Sequence, residues 1–396
     1  MLRFITAGES HGPSLTAILD GMPAGVPLSS EFVDRDLVRR QQGYGSGGRM
    51  KIERDHARMT GGVMAGYTTG APISFIVENL DHIKWRDRAI EAMTIPRPGH
   101  ADLTGAVKYG YRELRLSLER ASARETTMRV AVGAACRALL AQFGIIVGGY
   151  VTSVGEVNIN DANDDKVNPA QFEQRFAAAE ASDVRCYDPA TAERMRARIR
   201  QIMEQRDTLG GTIEVAALNV LPGLGSHVQW DRRLSSKLAA AVMSIHAMKG
   251  VEIGDGFAEA LRPGTQVQDE LYVENGEIKQ RSNHAGGIEG GISNGAPIVV
   301  RAALKPIATT LNPLDSVDLV TGDAVKTKYE RSDFCQVPRA VPIVEAMVCI
   351  VLADALIEKL GGDSIAEMKP RFEALRRLRL SDLPMNAVAW HFGYEL

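Results

Sequence analysis

Residues 122–144, SARETTMRVAVGAACRALLAQFG, decide the fold. Ser122 and Glu125 stand at capping-box spacing, the mark of a helix start, and Gly144 marks its stop. Thr126 to Phe143 between them is nearly apolar around its whole circumference. A helix of that kind has to be covered on most sides. Asp231 to Lys249, capped by Asp231 and stopped by Gly250, reads as a second such helix. Val341 to Leu360, with Pro342 in its first turn and Gly361–Gly362 behind it, reads as a third. A more amphipathic helix runs from a cap at Ser29 or Ser30 to about Arg40. The cover comes from strand candidates Ile73–Glu78, Tyr150–Val157, Thr212–Val220 and Ala296–Arg301, which alternate or run β-branched. They fall in groups between the long helices, without regular βαβα alternation. That predicts an α+β fold, with central helices covered by antiparallel sheets.

Around this frame, residues 158–207 are polar and rich in Asp, Ala and Arg, which predicts a peripheral helical insertion. The tail after Lys369, RFEALRRLRL, is basic and predicts a surface helix. The rest of 1–396 reads as a single domain. Aromatic residues are only 6% of the chain, so the core must be built from Ala, Val, Leu, Ile and Met. A net charge of -3 gives no global basic footprint and argues against a dedicated nucleic-acid binder. Cys136, Cys186, Cys335 and Cys349 are scattered, with no CxxC pair, which fits a reduced cytoplasmic compartment rather than a disulfide scaffold or zinc site. No apolar run reaches the ~18–20 residues of a membrane helix. The N-terminus MLRFITAGESHG lacks the pattern of a secretory signal. The expectation is a cytoplasmic protein with no membrane partner.

Chemistry-bearing residues are clustered. RRQQGYGSGGRMK, residues 39–51, sets Gly-rich backbone between fixed positive charges, which suits either an anion cradle or a solvated basic loop. It is neither a phosphate-binding GK[ST] loop nor GxGxxG. RPGHAD, residues 97–102, holds His100 in a Pro/Gly turn, and GESHG, residues 8–12, places His11 between glycines. Both are candidates for proton transfer or ligand contact. RASARETT, residues 120–127, sets two arginines and three hydroxyls around a helix N-terminus, where free amides favour an anion. KPIAT at 305–309 and RSDF at 331–334 add two more basic, polar clusters. Asp333 reads either as a proton-transfer carboxylate or as a helix cap. With no nucleophile–base pair, no HExxH and no dense Asp cluster, acid/base or elimination chemistry on a phosphorylated, carboxylated small molecule uses the parts available.

Taken together, GESHG (8–12), the 39–53 loop, RPGHAD (97–102), RASARETT (120–127), TLGG (208–211), GISNG (291–295), KPIATT (305–310) and RSDF (331–334) follow the order found in chorismate synthases. The chain resembles that family from residue 2 to about 360. The resemblance implies a β-α-β sandwich with a helical layer between antiparallel sheets, and a homotetramer. It implies 1,4-anti elimination of phosphate from 5-enolpyruvylshikimate-3-phosphate to give chorismate, with reduced FMN required but no net redox change. His11 then matches the acid that protonates the departing phosphate. His100 matches the histidine that helps keep reduced FMN anionic, and Asp333 the carboxylate that takes the ring proton. Substrate would be held by Arg40, Arg49, Arg97, Arg124 and Arg331, with Ala123, Glu125 and Ser332 beside them. FMN would contact Arg120, Ala121, Ser122, His246, Ala247, Gly290, Lys305, Pro306, Ile307, Ala308, Thr309 and Arg331.

Two positions depart from the family pattern. Ser46 stands where many members carry Arg, and His246 where Asn, Gln or Pro is commoner. No separate nucleotide domain is legible, so NADPH would act only as an indirect reductant, through an external flavin reductase. The competing reading is a non-catalytic anion- or flavin-binding module, which would not need two positioned histidines and a carboxylate. RNA binding is disfavoured by the net charge and by the lack of aromatics beside the arginine loops.

Overall fold

Alternation of apolar and polar residues builds the first sheet. The computed structural model describes residues 1–45, 54–159, 167–330 and 333–393. Strands β1 (Arg3–Ala7), β2 (Ser14–Asp20), β3 (Arg58–Gly61) and β4 (Ile73–Glu78) pair antiparallel in the order β1-β2-β4-β3. Leu15, Ala17, Leu19, Ile73, Phe75 and Val77 all point to one buried face, while Ile5 and Ile18 face outward.

That buried face lies on a helical layer made of α1 (Ser30–Gln41) and α4 (Thr126–Ala141). Two short helices, α2 (Asp102–Tyr109) and α3 (Arg115–Arg120), precede α4. The second sheet comprises β5 (Ile146–Val154), β6 (Val157–Asn158), β7 (Gly211–Leu218), β8 (Met248–Ile253) and β9 (Ile298–Leu304), antiparallel in the order β8-β9-β7-β5-β6. Its inner face, carrying Val151, Ile213, Val215, Ala217 and Val300, joins the main core. Its outer face, carrying Tyr150, Ala216, Leu218 and Val299, is covered by Phe172 and Ala179 of α5 (Pro169–Glu180). The strands read as continuous apolar runs because both faces are buried. Helix α6 (Pro189–Glu204) buries Met195, Ile199 and Ile202 against the same side of the molecule as β5 and β6. Helices α7 (Leu234–Met243) and α8 (Val337–Leu360) complete the middle layer, and α9 (Ile365–Glu373) packs on the end of α8. The α+β reading, with helices between antiparallel sheets, therefore holds.

Charge as well as oil joins the layer. Glu345 of α8 is fully buried and accepts from Arg39 Nη1 and Nη2 (2.7 and 3.0 Å) and from Arg137 Nη2 (2.7 Å). Asp36 accepts from Arg137 Nε at 2.9 Å and Arg39 Nη1 at 3.2 Å. Arg137 also reaches the Val147 carbonyl. One ionic knot thus ties α1, α4 and α8 to β5.

Several expectations need correction. The second apolar helix ends at Met243: Asp231 lies in a separate 3-10 turn and caps nothing, and Met248–Ile253 forms edge strand β8 instead. Pairing with β9 overrides the helical pattern, and the chain reverses at Ala247 in the left-handed region, φ 66°. Helix α8 starts four residues early, at Val337, so Pro338 occupies its first turn and Pro342 lies inside. β5 starts at Ile146, not Tyr150, because Gly148 and Gly149 are packing residues: a Cβ at either would meet Phe176 or Val215 at 2.5–2.7 Å. The capping box does not close. Ser122 Oγ accepts from the Arg124 N–H (3.3 Å), but Glu125 turns to Thr6 and Arg129. The basic tail is helical only as far as Glu373. Finally, Val337–Leu360 is long and apolar enough to span a membrane, contrary to the expectation, yet 94% of its apolar window is buried inside the protein.

The α4–α8 contact is tight enough to forbid one methyl group. A Cβ at Gly133 would lie 2.3 Å from Ala346 Cβ. Gly133→Ala should lose about 1–3 kcal/mol in denaturant unfolding despite its better helix propensity. Gly264→Ala, which would meet nothing within 4 Å, should be neutral. For Asp36, burial opposes ionisation but Arg137 and Arg39 outweigh it, so its carboxyl sits below the ordinary value. A lowered folded value means stability that is complete above the unfolded value of ~3.9 and lost as pH falls through the folded one. Melting scans should therefore show wild type losing more stability than Asp36→Asn between about pH 4 and 2.

Candidate active site

Two histidines arrive on turns and are each held by a carboxylate. His11 lies between β1 and β2, where Glu119 Oε1 takes its Nδ1 (2.8 Å) and Oε2 takes its backbone N–H (2.8 Å). Its ring leans on Trp85, with centroids 4.7 Å apart. His100 closes the RPGH turn and reaches Asp102 Oδ1 through Nδ1 at 2.6 Å. Asp102 is fully buried and also accepts from Arg97 Nε (2.8 Å), Arg97 Nη2 (2.9 Å) and the Arg97 backbone N–H (3.1 Å). Burial opposes ionisation of Asp102, but the hydrogen bonds from His100 and Arg97 win and hold it far below the carboxylate range.

Beside these turns, the approach to α4 gathers cations against one acid. Arg124 Nη1 donates to Asp55 Oδ2 at 2.7 Å and its Nε to Asn79 Oδ1 at 3.0 Å. Arg40, from the last turn of α1, donates to Thr126 Oγ1 and the Ala123 carbonyl, both at 3.0 Å, and lies 3.6 Å from Asp55. Asp55 is held below its ordinary value because the Arg124 and Arg40 charges outweigh its burial. Ser122 Oγ lies 3.2 Å from Ser10 Oγ, and Arg120 reaches Thr6. Ala121 links Ser122 to the end of α3.

A cleft opens among Arg40, Ala123, Ile245, His246, Arg339 and Ile343. His246 Nδ1 is buried there with no partner among the described residues. Burial pushes its imidazole toward the neutral form, opposed by Glu125 and reinforced by Arg129, Arg120 and His100. A second cleft is lined by Asp207, Thr208, Thr309, Tyr329 and Asp333. Asp333 is ion-paired with Arg339, whose Nε donates to the Arg40 carbonyl at 3.2 Å. Nearby Cys335 is no nucleophile, since burial pushes its thiol up to about 12.

The KPIAT segment closes the ring of contacts. Lys305 Nζ donates to the Gly99 carbonyl (2.6 Å), the Lys305 N–H to the Ala247 carbonyl (3.0 Å), and Thr208 to the Ile307 carbonyl (2.9 Å). Thr309 receives Arg97 Nη1 at 3.1 Å, while Pro306 is exposed and Ala308 packs near Gly99.

Of the expected residues, Arg40, Ala123 and His246 line the first cleft and Thr309 and Asp333 the second, while His11, His100, Arg120 and Arg124 line neither, and two residues stand away from their expected places. Arg97 is buried against Asp102 and Thr309 and acts on His100 instead of presenting a free fork. Gly290 sits beside the first turn of α7, whereas His246 follows its last turn, roughly 15 Å of helix away. Arg49, Arg331, Ser332 and Ser46 lie outside the described residues. Glu119, Asp55, Asn79 and Arg339 were missed. Asp102 was quoted only as part of a motif, although an acid two residues after a turn histidine is itself a usable signal.

A family model described as chorismate synthase matches residues 2–357. The chorismate synthase of Pelobacter propionicus is 51% identical, covering 94% of this chain and 98% of its own length. That of Aquifex aeolicus is 52% identical, with 94% and 96% covered. A crystal structure of chorismate synthase matches with a TM-score of 0.78 at 45% identity, over 94% of this chain and 96% of that one. A carboxylate-backed pair of histidines, an arginine-lined cleft and this fold thus occur in a chain that belongs to the chorismate synthase family of lyases.

Proposed function

We propose that this protein eliminates phosphate from 5-enolpyruvylshikimate-3-phosphate to give chorismate, with reduced FMN bound in the cleft beside Arg40 and His246. The observation that supports the reading is a pair of clefts, one lined by Arg40, His246 and Arg339 and the other by Thr309 and Asp333, joined by the Asp333–Arg339 ion pair. The cleft has the chemistry of a flavin site. Ile245, Leu304, Ala340 and Ile343 offer apolar walls to a ring face, and Nδ1 of His246, without a partner among the described residues, offers a polar contact to its edge. Arg120, Ser122, Ala247 and Lys305 to Thr309 would hold the group. When bound, reduced FMN supplies transient electron density to the substrate ring, the chemistry no side chain here provides.

The chain's own residues handle charge and protons. Arg40 and Arg124, with Arg49 and Arg331, neutralise the departing phosphate, a poor leaving group without cations and an acid. The carbon–oxygen bond breaks with its electron pair on the phosphate, and His11 gives it a proton from Nε2. The ring carbon–hydrogen bond breaks and its electron pair forms one new double bond, the existing ring double bond shifts by one position to the carbon that loses phosphate, and Asp333, held by Arg339, takes the proton. His100, fixed by Asp102, supports the anionic cofactor. Arg97 holds that pair in place. The wider reading is a cytoplasmic homotetramer that relies on an external flavin reductase, with NADPH as indirect reductant.

The test is anaerobic turnover of 5-enolpyruvylshikimate-3-phosphate with FMN kept oxidised or chemically reduced. Phosphate and chorismate should form only with reduced FMN; no product in either state would overturn the assignment. Asp333→Asn should bind FMN nearly as wild type but turn over ~10²-fold more slowly or worse. Turnover within tenfold of wild type would remove Asp333 from the mechanism.

A further inference from the structure

Glu119 stands 108 residues from His11 in sequence and touches it twice. One carboxylate oxygen takes Nδ1 and the other takes the His11 backbone N–H, both at 2.8 Å. An ionised carboxylate only accepts hydrogen bonds, so Nδ1 must carry its proton whether the ring is neutral or charged. The nitrogen that gains and loses a proton is therefore Nε2.

Glu119 is itself held rigidly. It lies near the end of α3, and α3 is locked to α2: Ser117 Oγ donates to the Ala101 carbonyl at 2.8 Å. Gly105 of α2 leaves no space between them, since a Cβ there would come within 2.0 Å of Ser117 Oγ. The next residue after Ala101 is Asp102, the carboxylate of His100. One helical pair thus carries the carboxylates of both site histidines.

We propose that Glu119 is the positioning residue for His11, fixing its tautomer and presenting Nε2 to the leaving phosphate. The inference rests on the elimination reading given above. Other charged or titratable groups surround the pair. His82, from the 80–84 turn, meets the His11 carbonyl through Nδ1 at 2.8 Å, and Arg115 lies one turn before Glu119. Glu9 shares the His11 loop, and Asp81 holds Trp85 Nε1 at 3.2 Å. None of these can replace an acceptor at Nδ1. Burial opposes ionisation of Glu119, yet its contact with His11 keeps it below the ordinary carboxylate value.

The experiment compares wild type, Glu119→Gln, His11→Ala and the double variant, each first checked by thermal melting for an intact fold. Glu119→Gln should cut kcat by roughly 10-fold or more while KM changes little. In the His11→Ala background, Glu119→Gln should cost nothing further. Nitrogen-15 NMR of wild-type imidazoles, without substrate, should show neutral His11 protonated at Nδ1 and bare at Nε2. A protonated Nε2 in neutral wild type, or multiplicative losses in the double variant, would each overturn the proposal. An inactive wild type with the Nδ1–H tautomer would sink the elimination reading while leaving the Glu119–His11 arrangement standing.

Discussion

The buried carboxylate of Glu345 is the constraint on which the rest depends. It draws two guanidinium groups, Arg39 and Arg137, into the centre of the helical layer, with Asp36 balancing the second positive charge. A buried ion cluster is weak evidence for stability, because desolvation offsets most of its attraction. Its value here is register. Arg39 is adjacent to Arg40, so turning or sliding α1 to break the knot would also move Arg40 off the Ala123 carbonyl and Thr126. α4 enters the knot at Arg137 and brings the 122–125 turn to the cleft. α8 enters at Glu345 and carries Arg339 about two turns earlier. Three chain segments reach the site as the ends of helices already locked to one another.

Charge at the site follows the same logic on a smaller scale. Arg124 has Asp55, Arg97 has Asp102, Arg339 has Asp333, and His11 has Glu119. Several cations close together would repel each other and splay into solvent. Each local acid fixes its cation in one place while leaving the neighbourhood rich in donors. Such preorganisation matters because donors already oriented need not rearrange as negative charge develops. On the proposed reading, an arriving phosphate meets positions, not a diffuse positive cloud.

The middle helix 126–141 was legible because apolarity all round a helix has one interpretation, burial. The helix over 231–249 was over-extended because nothing local distinguishes a helix tail from an edge strand paired with residues 298–304. The strand read from Tyr150 begins at Ile146, because Gly148 and Gly149 are a close approach that depends on Phe176 and Val215 across the fold. At the site, His11, His100 and Arg124 sit in motifs dense in Gly, Pro and hydroxyls, which single sequences expose well. Their supports are less visible. Glu119 is distant from His11, and Arg97 meets Thr309 over 212 positions. Long-range pairing leaves no local trace, so the groups that would react were easier to read than the groups that aim them.

His246 sharpens the physical argument for a ligand in the cleft. The buried Nδ1 of His246 has no partner among the described residues, and a nitrogen left so loses its hydrogen bond to water and gains none in return, a cost of about 1–3 kcal/mol for a neutral group. The adjoining Ala247 adds strain, since a residue with a Cβ disfavours φ 66°. Both lie where α7 ends and the chain turns into β8, against Lys305. Folding alone would be served as well by a glycine and an apolar residue here. The first of these costs is recovered if a flat, heteroatom-edged ring fills the space, meeting Nδ1 at its edge and Ile245 and Ile343 across its face. Water expelled by that ring would lower the local dielectric, and the attraction between Arg40, Arg339 and a bound anion would strengthen accordingly.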